Sequence, residues 1–90
     1  MLAQEQNPIT ACLLRTLTRV YPNTLAVFGI DGMEVGAEEI VLKIASRFSD
    51  SLQAYIFICH VLRMMADMML REGYGELVPK LLRLQELVHP

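Results

Sequence analysis

Charge is scarce in this chain. Lysine, arginine, aspartate and glutamate make up 20% of the residues, below the ~25% usual in soluble domains, and the net charge is only −2. A disordered polar chain is thereby excluded, because such segments combine low hydrophobicity with high charge. The balance also counts against a strongly basic nucleic-acid binder. Cysteine is limited to Cys12 and Cys59, far apart in sequence. They form neither a disulfide framework nor a CxxC motif, and both read as reduced, packed thiols. The opening residues, Met1 to Asn7, contain no positive n-region and no apolar h-region. No secretion signal is therefore expected, and the expected setting is cytoplasmic. Internal repeats and low-complexity segments are lacking too.

Catalytic signatures are also missing. There is no HExxH, GxSxG, GxGxxG or P-loop motif. Zinc needs four ligands at close spacing, and Cys12, Cys59, His60 and His89 are too scattered to supply them. Asp31, Glu34, Glu38 and Glu39 cluster, but without the alternating oxygen ligands of a calcium loop. They read as a solvated loop running into a helix start. No enzymatic activity, metal or cofactor is expected.

What the chain has in abundance is apolar surface. Of its 90 residues, 53% are apolar before glycine is counted, against ~45–50% with glycine included in ordinary domains. Ninety residues make one domain, spanning residues 1–90 with residues 1–6 expected to fray, and so small a domain has little interior. The excess predicts association. The patterning predicts a mainly α fold of about four helices, one of them long and central. The first opens at Asn7-Pro8, a good cap followed by a residue whose φ is already set. Ile9, Cys12, Leu13, Leu17 and Val20 form its apolar face, and Tyr21-Pro22 stops it. The second runs from about Gly36 to Phe48, burying Ile40, Val41, Ile44, Ala45 and Phe48. The last runs from about Leu77 to Val88. Between the first two, Thr24 to Ile30 reads as a strand before Asp31-Gly32, giving a small β-hairpin over residues 24–35.

The third helix, about residues 51–72, is the informative element. Asp50 is its expected cap and Gly73 its left-handed stop. His60, Arg63, Asp67 and Arg71 fall on one stripe, and almost everything else is apolar. A helix apolar over most of its circumference must be covered on most sides. Three short partners from the same chain leave part of it bare, and a second copy is the expected cover. The expected interface consists of Tyr55, Ile56, Met64, Met65, Met68 and Met69, with His60, Arg63, Asp67 and Arg71 as its polar rim. The four methionines suggest an adaptable Met-rich surface for a further protein partner, unidentified by the sequence. No membrane span is expected, because Arg63 and Asp67 would each cost about 2.5–3.5 kcal/mol inside one.

Val61 to Tyr74 (VLRMMADMMLREGY) resembles the close of a recognition helix entering a wing in winged-helix regulators, and Leu13 to Pro22 resembles their first helix. That resemblance implies a DNA-binding transcriptional regulator with a β-hairpin wing after Tyr74. The residues after Tyr74 themselves carry a helical pattern with a proline. The expected function is a small non-catalytic protein–protein interaction module, an adaptor, chaperone-like subunit or inhibitor, homodimeric through the long helix. The winged-helix regulator is the alternative.

Overall fold

The computed structural model describes residues 8–29 and 36–90. Within them the chain is mainly helical: α1 (Pro8–Val20), a single turn α2 (Thr24–Val27), α3 (Ala37–Ser46), α4 (Ser51–Arg71), a 3-10 segment (Gly75–Lys80) and α5 (Leu81–Leu87). Pro8 opens α1 as expected, while its expected cap Asn7 and residues 30–35 of the expected hairpin lie outside the described residues.

The hub is α4, about 31 Å long at 1.5 Å per residue. It packs against α1, α3, the 3-10 segment and α5. Its ends follow from local chemistry. Asp50 sits in extended conformation, and its carboxylate accepts hydrogen bonds from the Leu52 amide at 2.8 Å and the Gln53 amide at 3.4 Å. Two donors that the helix leaves orphaned are thereby satisfied. At the other end Gly73 takes φ +88°. The Tyr74 amide bonds the Met69 carbonyl at 2.8 Å and the Gly73 amide bonds that of Leu70 at 3.4 Å, the paired bonds of a Schellman stop. The chain then doubles back so tightly that a Cβ on Gly75 would stand 3.3 Å from the Leu70 side chain.

Ile58, Val61, Leu62, Met65 and Met69 form the inner face of α4. Cys12, Leu13 and Leu17 from α1, Ile40, Val41 and Ile44 from α3, and Leu81 and Leu84 from α5 close over it. In α1 the buried arc also takes in Thr10 and Thr16, whereas Val20 is 41% exposed. Val20 lies in line with the core but on the last turn of the helix. Thr16 is held inside beside Cys12, its hydroxyl 3.9 Å from the thiol sulfur.

No strand occurs among the described residues, and the expected hairpin is not formed over Thr24–Val27. One turn of helix replaces it, with the Val27 amide bonded to the Asn23 carbonyl at 3.0 Å. The physical reason is the aromatic cluster that follows. Phe28 packs against Phe48 and Phe57 with ring centroids 6.0 and 5.9 Å away, and Tyr21 reaches Phe57 at 5.2 Å. A lone two-stranded hairpin gains little in water, while a folded turn delivers Phe28 to Phe48 and Phe57 at once. The last helix also starts later than its pattern implies. Residues 75–80 form 3-10 turns and regular α-helix begins only at Leu81, after Pro79, which has no amide to donate.

Candidate functional site

The long helix has two apolar stripes, and only one of them faces the core. The other combines steps of four and three: Leu52, Ile56, Cys59, Arg63, Ala66 and Leu70. This is the heptad spacing of a coiled-coil seam, interrupted by one charged residue. Leu52 is 52%, Ile56 53% and Leu70 61% exposed. Cys59 and Ala66 are half-buried, and being small they leave a depression. Beside them lies a groove of about 370 Å³ whose far wall is Val78, Pro79 and Leu82 from the 3-10 segment and α5. Leu82 is 60% exposed. Leu52, Ile56, Leu70 and Leu82 together expose on the order of 400 Å², strung along about 27 Å of α4 and the facing side of α5.

Of the residues expected at an interface, the structure leaves only Ile56 fully in the open. Met65 and Met69 are sealed in the chain's own core, at 0% and 1% exposure. They are therefore corrected from interface to core: α1, α3 and α5 close over that face. Met64 and Met68 are half-buried along the edge of α4 that meets α1. The Sδ of Met68 lies 3.8 Å from the Cys12 thiol. The expected Met-rich surface is thus largely an inner surface. Tyr55 is half-buried and engaged within the chain: its hydroxyl accepts from the Gln85 amide at 3.0 Å, and its ring meets His89 edge-on at 4.9 Å. Leu52, Leu70 and Leu82 were not among the expected contacts. The four-and-three spacing of the first two was the available signal.

The four residues expected as a rim are exposed, but they do not form one border. His60, Asp67 and Arg71 lie along one side of the seam, and Arg63 stands within it. Asp67 and Arg71 pair with each other at 3.0 Å. Beyond the rim, Arg15 grips Glu72 with both guanidinium nitrogens, at 2.8 and 3.2 Å, fastening α1 to the end of α4. That grip holds the Glu72 carboxyl below its ordinary range and the arginine above its own. Burial pushes the Cys12 thiol up, so it stays neutral. Cys59, in the groove, is the more accessible of the two free thiols.

A second concavity, about 650 Å³, is lined by Ile9, Ala37, Glu38, Lys80, Arg83 and Leu84, among others. Its Glu38 and Arg83 are spent on each other at 2.6 Å, so they do not converge on the space between. Among the described residues no three histidine, cysteine, aspartate or glutamate side chains gather where they would hold a metal ion, and no helix is long and apolar enough to cross a membrane. Where the winged-helix resemblance implies a wing, residues 75–87 are helical. No family model, curated protein or solved structure matches the chain.

Proposed function

We propose that this chain is a small non-catalytic protein–protein interaction module whose working surface is the outer seam of α4 together with Leu82, and that it is homodimeric through that seam. One observation carries the reading. Leu52, Ile56 and Leu70, at positions of coiled-coil spacing, stand in solvent on the longest helix, although the chain has enough other apolar residues to fill its core. Exposed aliphatics at that spacing cost solubility unless something covers them, and a helix is the shape that fits. His60, Asp67 and Arg71 border the apolar strip as a polar rim, which sets orientation more than affinity, and Arg63 is the one charge within the strip.

The test is mass and its dependence on one side chain. Light scattering at micromolar concentration is expected to give about 20 kDa, twice the 10.2 kDa chain. Ile56→Asp is expected to give a folded monomer, because Ile56 is 53% exposed and holds no part of the core. A wild-type mass near that of one chain, with native helicity, would refute homodimerisation through this surface.

A further inference from the structure

The seam has an internal order that selects one way of pairing. Resting on the homodimer reading above, we infer that two copies of α4 close on each other antiparallel, about a two-fold axis at the level of Val61, with Leu52 of each chain opposite Leu70 of the other.

The pairing follows from side-chain size and charge. In this register Leu52 meets Leu70, Ile56 meets Ala66, and Cys59 meets Arg63. Each half-buried small residue lies opposite a large exposed one, so the depressions at Cys59 and Ala66 receive Arg63 and Ile56. Arg63 can lay its alkyl stem over the small Cys59 and carry its guanidinium out to the rim, where Asp67 and His60 stand. A parallel pair would do the opposite. It would set Arg63 level with Arg63, where the antiparallel register offsets the two by about 6 Å along the axis, and it would leave Ala66 facing Ala66 across a gap. One polar residue at a seam position is a known device for specifying orientation at some cost in stability.

The surrounding surface supports the same geometry. The two-fold runs perpendicular to both helices, so each chain's α5 falls on the same side of the pair. Leu82, exposed on α5 beside the groove, thereby joins the covered area. The four exposed aliphatics give about half of the ~800 Å² per partner that a standard interface buries. Arg63, Cys59, Ala66 and Pro79 lie between and beside them and supply further area.

Cross-linking reads the register directly. Leu52→Cys and Leu70→Cys are each made in a Cys59→Ala chain, and far-ultraviolet circular dichroism matched to the wild type confirms folding. Mild oxidation of either variant alone is expected to give no covalent dimer, and oxidation of the equimolar mixture is expected to give one. Self-cross-linking of either variant alone would overturn the antiparallel register in favour of a parallel one. A dimeric mass with no cross-link in any sample would overturn the seam as the contact while leaving the dimer standing. A wild-type mass of one chain would overturn both this inference and the reading it rests on. The wild-type chain gives an independent arm that needs no substitution. Antiparallel pairing offsets the two Cys59 residues by about 6 Å along the axis, which puts their Cα atoms beyond the ~7 Å reach of a disulfide. Oxidised wild-type protein is therefore expected to stay non-covalent, and a Cys59-linked dimer would overturn the register.

Discussion

Replacing Met65 by alanine separates the two roles that methionine can play on α4. Met65 is fully buried, and Cys12 of α1 lies against its backbone, the thiol 3.8 Å from its carbonyl oxygen. Truncation removes the transfer free energy of the lost atoms and leaves a cavity in the core beside α1. Methionine-to-alanine changes at such sites cost about 2–5 kcal/mol. A chain of this size has on the order of 5–13 kcal/mol in total, so the loss is a large fraction of it. Taking about 3 kcal/mol, the melting temperature should fall by ~12–24 °C. Met64→Ala, on a half-buried neighbour, should cost about 1 kcal/mol or less, since part of that side chain already meets water. The assay is urea denaturation followed by far-ultraviolet circular dichroism, comparing midpoints at constant slope. Protein concentration must be held fixed, because dimerisation adds to apparent stability. The mass of the folded protein should be unchanged in both variants. A Met65→Ala cost below about 1 kcal/mol, or equal costs for Met64→Ala and Met65→Ala, would refute the assignment of Met65 to the core.

Two further predictions concern the C-terminal end of α4. Gly73 has φ +88° and open space where a Cβ would stand, so Gly73→Ala should cost only the backbone term, about 1–2 kcal/mol, and Gly73→Asn should cost less in the same denaturation assay. The Arg15–Glu72 pair lowers the folded-state pKa of Glu72, so its contribution is present above the ordinary carboxylate pKa and is lost as pH falls through the lowered value. Thermal melts of wild type and Arg15→Met should therefore differ near neutral pH and converge in acid, with the gap shrinking in high salt because both groups are exposed; a gap that persists in acid would refute the linkage.

The long helix was legible because its limits are set by local chemistry. Asp50 and Gly73 act through backbone groups within a few residues, so their roles can be read without knowing what packs where. The same holds for Ile40, Val41 and Ile44, whose spacing admits one inner face. The methionines were not legible. The α4 sequence carries two apolar stripes, and which one turns inward depends on where α1, α3 and α5 land. Met65 and Met69 went in, and Leu52, Ile56 and Leu70 stayed out. Thr24 to Ile30 failed for a related reason. Its apolar run satisfies a strand pattern locally, but the decisive contact is Phe28 with Phe48 and Phe57, distant in the chain. Thr16 looked like a surface residue by type, yet it sits a turn from Cys12 on the buried arc of α1.

The aromatic cluster has an optical consequence. With no tryptophan in the chain, near-ultraviolet dichroism and emission fall to three tyrosines and three phenylalanines. Tyr21, Phe28, Phe48 and Phe57 share one contact cluster, with Tyr21–Phe57 tilted by 48° and Phe48–Phe57 by 39°. Fixed mutual tilts of that kind produce a chiral signal only while the rings stay locked. The molecule thus carries its own gauge of side-chain order at the meeting point of α1, α2, α3 and α4, and that gauge is independent of the backbone signal from the helices. A variant that keeps its far-ultraviolet spectrum and loses the near-ultraviolet band has kept its helices and lost the packing that joins them.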